Sequence, residues 1–115
     1  MRTEQNRRTT PSAPTCWQRE APCACLRIEA SPHEQQFFPY QHLVTASLSG
    51  EDDAETLRLV FSSHDVQIAG RNLRQLLFAL QDFAVKWIRP VPPRYQALGN
   101  EGEGMIFSIR IIEAQ

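Results

Sequence analysis

Between Leu57 and Ala84 the spacing of apolar residues changes period, and that change constrains the fold more than any other feature of the chain. Leu57, Leu59 and Phe61 alternate with other residues, as do Val66 and Ile68, which is the two-residue repeat of half-buried strands. Past Gly70 and Asn72 the repeat lengthens. Leu73, Leu76, Leu77, Leu80, Phe83 and Ala84 recur at helical spacing and fall within roughly 120° of arc, a stripe wide enough to cover a sheet. Two strands followed by an amphipathic helix predict an α+β domain.

The two strands, Thr56–Ser62 and Asp65–Gly70, test each other by side-chain parity. With Ser63 and His64 at the turn, Phe61 faces Val66 and Leu59 faces Ile68, so both strands present their large apolar groups to one side. A slip of one residue would send one set to solvent. The opposite side carries Arg58, Val60 and Gln67, the polar face expected of an antiparallel sheet in water. Asn72 is placed to cap a helix over residues 72–83. Leu43–Leu48 and Met105–Ile112 read as further strands, the latter with Met105, Phe107, Ile109 and Ile111 on one face. Cys25–Glu29 reads as a short strand, and an irregular segment follows it through Pro32 and Pro39. Val85–Val91 fits either a helix end or a strand, and Pro90, Pro92 and Pro93 stop regular structure in both cases. The expected architecture is a four- to five-stranded, mainly antiparallel sheet with one amphipathic helix packed on one face.

Residues 1–22 are rich in Arg, Thr, Pro, Gln and Ser, and Trp17 is their one large apolar group. Such a segment buries too little to offset the entropy of ordering, so a disordered arm is expected there, with one small domain over residues 23–115. The whole chain has 115 residues, enough for a single core. Its composition, 42 % hydrophobic and 22 % charged, is that of an ordinary globular protein. No apolar run reaches membrane-spanning length, and MRTEQNRRTTPSAPT lacks the apolar centre of a secretory signal. A cytoplasmic protein without membrane contact is the expectation. Net charge is -1, so no long-range field draws nucleic acid to it. The polar sheet face (Thr45, Ser47, Arg58, Val60, Gln67, Ser108, Arg110) offers no aromatic on which a base could stack, and no nucleic-acid binding is expected.

Several clusters contain reactive residue types without the spacing that chemistry requires. Cys16, Cys23, Cys25 and His33 are a zinc-compatible set, but Cys-Ala-Cys is too cramped for the usual pairing of ligands two to four residues apart. Ser62, Ser63, His64 and Asp65 are the residue types of a hydrolytic triad, yet neighbours at a turn point apart instead of converging. GNEGEG (residues 99–104) has the glycines of a phosphate loop, with Glu101 and Glu103 repelling an anion. Glu51, Asp52, Asp53 and Glu55 lack the alternating ligands and mid-loop glycine of a calcium loop. Pro92-Pro93-Arg94-Tyr95 matches the Pro-Pro-x-Tyr form that resembles ligands of WW domains, and its place between two elements makes it a terminator of structure. No metal or cofactor is expected.

Two features remain. Arg71, Asn72 and Arg74 stand at a strand-to-helix junction, where backbone N–H groups and guanidinium groups can hold a small anion. Phe78 projects about 140° away from the core stripe, among Arg74, Gln75, Gln81 and Asp82. An exposed aromatic there, flanked by Arg74 and Asp82, either meets solvent or the N-terminal arm, as single exposed aromatics commonly do, or contacts a protein partner or a second copy. The leading expectation is an interaction or structural module without catalysis, homodimeric through the helix's outer face in one version. The alternative is a small regulatory domain binding an anionic ligand at the junction.

Overall fold

A computed structural model of the chain describes residues 14–51, 53–96 and 104–114. Among these, the strands are β1 (Trp17–Arg19), β2 (Cys25–Ser31), β3 (Glu34–Pro39), β4 (Leu43–Glu51), β5 (Ala54–Phe61), β6 (His64–Arg71), β7 (Val85–Ile88) and β8 (Met105–Glu113). Helix α1 (Arg74–Gln81) lies between β6 and β7. The strands form two four-stranded sheets, ordered β1-β7-β2-β3 and β4-β5-β6-β8, instead of the single sheet expected. All pairings are antiparallel except β2 with β7.

The second sheet combines one local hairpin with two pairings to β7, whose partners are far away in sequence. Glu34–Pro39, read as irregular, pairs with β2 as a hairpin, Leu26 opposite Phe38 and Ile28 opposite Gln36. Trp17–Arg19, inside the stretch expected to be disordered, pairs with β7. Cys16 beside it is buried, its Sγ accepting the Ile106 N–H at 3.4 Å. Residues 1–13 of that arm and residues 97–103 of the glycine-rich loop lie outside the described residues.

The hairpin β5–β6 keeps the expected sidedness in a different register. Leu59 faces Val66 and Leu57 faces Ile68, a shift of two residues that moves the turn to Ser62 and Ser63. Because two residues is one full strand period, Leu57, Leu59, Phe61, Val66 and Ile68 all stay buried on one side. One cross-strand contact accompanies the observed register, and Phe61 keeps its place in the core. Arg58 donates from Nε to both carboxylate oxygens of Asp65, at 3.1 and 3.0 Å. Phe61 stacks on Phe38 of the other sheet, ring centres 4.4 Å apart.

In β8 an irregularity opposite Ala69 and Gly70 sets Gly70 against Ile106, so Ile106 enters the core where Phe107 was expected. Phe107 is left half-buried, 5.9 Å from the Arg71 guanidinium. One core unites both sheets and the helix: Leu26, Ile28 and Phe38 join Leu57, Leu59, Val66 and Ile68, with Leu76 and Leu80 from α1. Fully burying each such side chain stabilises the fold by about 1.5–3 kcal/mol.

Candidate functional site

Helix α1 is shorter than its apolar periodicity implies, because the backbone turns left-handed on both sides of it. Asn72 has φ 55° and Phe83 has φ 58°. The cap position therefore falls on Leu73 and not on Asn72, and Leu73 supplies no side-chain cap. The Leu73 N–H instead donates to Glu55 Oε1 of β5 at 2.8 Å. At the other end the Phe83 N–H donates to Leu80 O at 3.0 Å and the Ala84 N–H to Ala79 O at 2.9 Å, the bonding of a left-handed helix cap.

That cap turns Phe83 out of the core stripe to which its spacing assigned it. Its side chain packs on Tyr40, ring centres 4.9 Å apart, and the residue remains 47 % exposed. Phe78 is 42 % exposed one turn earlier. Between them lies an apolar groove of roughly 320 Å³, lined by Leu43 and Ala46 of β4, Leu77, Phe78, Leu80 and Gln81 of α1, and Phe83. Val44, next along β4 from Leu43, is 65 % exposed. The chemistry of this site is apolar contact, with no titratable group in its lining.

Of the residues expected beside Phe78, Arg74 is exposed and does not line the groove. Asp82 pairs with Arg19 of β1 at 3.1 Å, an exposed contact of little energetic weight, and does not line the groove. Periodicity pointed to Phe78. It could not point to Leu43, Ala46 and Phe83, since their convergence depends on β4 lying alongside α1 and on the left-handed cap.

At the strand-to-helix junction, Arg71 is half-buried and its guanidinium reaches Met105 Sδ at 3.7 Å, while Arg74 is exposed. The Leu73 N–H, one of the donors an anion would seek there, already meets the Glu55 carboxylate. The polar turn does not assemble a triad: His64 Nδ1 lies 2.7 Å from Ser63 Oγ, but the Asp65 carboxylate is engaged by Arg58. That guanidinium, hydrogen-bonded to Asp65, holds its carboxyl below the usual value. Cys16 is buried, the single S–H of Cys23 has the carbonyls of Cys25, Phe83 and Val85 within reach as alternative acceptors, and His33 is exposed. Among the described residues, no three His, Cys, Asp or Glu side chains gather as a metal site would require.

The sheet that periodicity did not anticipate carries a row across its outer face, Trp87 and Phe37 on either side of Arg27. Glu29 bridges Arg27 at 2.8 Å and Arg89 at 3.7 Å, and Arg89 stacks 4.0 Å from the Trp87 ring. These cations are already committed to partners within the fold. No described helix is long and apolar enough to cross a membrane. Comparison with known protein families, curated proteins and solved structures finds no match to this chain.

Proposed function

We propose that this protein is an interaction module without catalysis, and that the groove between α1 and β4, with Phe78 and Phe83 on its walls, is its contact surface. The observation that carries this reading is the conformation of Phe83. A left-handed backbone costs a residue with a Cβ about 1–2 kcal/mol, and glycine is the usual occupant of such a helix cap. A phenylalanine there keeps half of its surface in water. Strain retained together with an exposed aromatic ring is the signature of a position selected for contact instead of stability. Phe78, Leu77 and Leu43 extend the same apolar wall, and aromatic groups centred in such depressions carry much of the energy of protein association.

A photo-crosslinking amino acid installed at position 78 in the full chain tests this directly in cells. A discrete crosslinked species that disappears with Val44→Asp and Phe83→Gly is expected. No discrete crosslink from position 78 would overturn the reading. A cytoplasmic location belongs to the same proposal, supported by three cysteines that remain free thiols. Anion capture at Arg71, Asn72 and Arg74 is the weaker reading, because Glu55 supplies the helix start with a carboxylate of its own.

A further inference from the structure

Beside the groove runs an edge strand of unusual character. Sheets expose unpaired backbone groups at their edges, and proteins blunt them with charges, prolines, short strands or covering segments. Three of the four edges here follow that rule. Strand β1 has three residues, β3 ends in Pro39 and begins with Glu34, and β8 is engaged at Ile106 by the Val91 N–H and by Cys16. Among the described residues strand β4 carries such devices only at its ends, an irregularity between Leu43 and Thr45 and the terminal Glu51. It is nine residues long, and from Leu43 to Gly50 (LVTASLSG) it contains neither a charge nor a proline. Its outward-facing residues Thr45, Ser47 and Ser49 are exposed.

We propose that β4 pairs antiparallel with β4 of a second copy of this chain, joining two four-stranded sheets into one of eight strands. The proposal rests on the groove being a contact surface and names what fills it. Antiparallel pairing of identical edges places a two-fold axis perpendicular to the sheet, so both helices stay on the same face. The two grooves then border the axis, and Phe78 and Phe83 of one copy meet those of the other.

The charge pattern of the strand fits a copy of itself. His42 precedes β4 and Glu51 ends it, both exposed. Reversing a second strand against the first brings each His42 toward the Glu51 of the other copy, and the eight uncharged residues between them meet no like charge. Pairings that keep Ala46 and Leu48 on the groove side, such as Ala46 opposite Leu48 with Ser47 on the axis, satisfy the parity of both strands. An arbitrary extended peptide would gain the backbone bonds without this match at the ends. The contact is isologous, so association closes at two.

Sedimentation velocity of the full chain from about 1 to 100 µM, combined with hydrogen exchange at both extremes, decides the matter. The expected result is a species of twice 13.2 kDa whose β4 amides, and not those of β3, gain protection as concentration rises. Val44→Lys and Phe78→Glu, each checked for an unchanged circular dichroism spectrum, are expected to weaken association at least about tenfold. If Val44→Lys does not fold, Ser47→Lys on the solvent face serves in its place. A monomer at all concentrations overturns the proposal, as does a dimer whose β4 exchange ignores concentration, or an open series of larger species. A monomer that still yields a discrete crosslink from position 78 to another protein would overturn the self-pairing alone and leave the groove's role standing.

Discussion

The hydroxyl of Tyr40 bonds both backbone groups of Val85, accepting its N–H at 3.2 Å and donating to its carbonyl. Tyr40 sits in the short turn between β3 and β4, where the chain passes from one sheet to the other, and Val85 opens β7. One side chain thus ties the crossing point to the strand that follows the helix. The same ring supports Phe83, so the groove wall depends on it.

Tyr40→Phe keeps the ring and deletes both hydrogen bonds to the Val85 backbone, at a buried position where water does not readily replace them. A loss of about 1–3 kcal/mol in unfolding free energy is expected from urea denaturation at neutral pH. The variant also has a pH signature. Burial pushes the Tyr40 hydroxyl's proton loss well above its ordinary value of 10.0. The folded state therefore holds this proton more tightly than the unfolded chain, a contribution complete below about pH 10 and lost as pH rises beyond it. Burial shifts the Cys16 thiol in the same direction from 9.0, so wild type should weaken from about pH 9 upward. Urea midpoints from pH 8 to 11 should fall less steeply for Tyr40→Phe; an identical slope would remove Tyr40 from the account.

Phe83→Gly separates strain from contact. Glycine relieves the left-handed backbone at φ 58° and surrenders the packing on Tyr40, terms of opposite sign and similar size. Net stability should change by less than about 1 kcal/mol, while association through the groove falls at least about tenfold. Stability measured by denaturation and association by sedimentation should therefore respond separately. A variant that loses several kcal/mol of stability would mean that the ring serves the core.

Much of this arrangement was legible in the residues, and the missing part has a physical cause. Alternation identified the buried side of β5 and β6 because burial depends on parity, which survives a two-residue slip. It could not find the register, because both registers bury the same side chains and differ in cross-strand neighbours such as Arg58 and Asp65. Glu34–Pro39 read as irregular since Pro39 lies in it, yet a proline at a strand's end on a sheet edge loses no ladder bond. Helical phase singled out Phe78 correctly as outward-facing. It misplaced Phe83, because a periodic argument assumes the helix continues, and here it stops at Gln81. Nothing local announced that Leu43 and Ala46 would complete the groove.

Glu55→Ala tests both the helix start and the anion reading. Removing the carboxylate deprives the Leu73 N–H of its acceptor, with an expected cost of about 1 kcal/mol. In wild type, amide shifts on titration with inorganic phosphate should be small at Leu73, where Glu55 already sits. They should grow in Glu55→Ala, as Arg71 and Arg74 remain nearby and the competing carboxylate is gone. Saturable shifts of equal size in both proteins would make anion capture at Arg71, Asn72 and Arg74 the better reading of the junction.

Gly70→Ala probes the seam between β6 and β8. A Cβ built at Gly70 would lie 2.2 Å from the Met105 carbonyl oxygen and 3.1 Å from the Ile106 Cα. Both are backbone atoms, so no rotamer change relieves the clash and the strands must separate. Overpacking of this kind costs about 1–3 kcal/mol. Exchange should accelerate for amides of β8 and for the Val91 N–H that bonds Ile106, while the β4–β5 pairing stays protected. Because β4 lies at the opposite edge of that sheet, self-association should persist in the folded fraction of Gly70→Ala. Loss of association alongside intact β4–β5 protection would show that the contact between copies involves β8 instead.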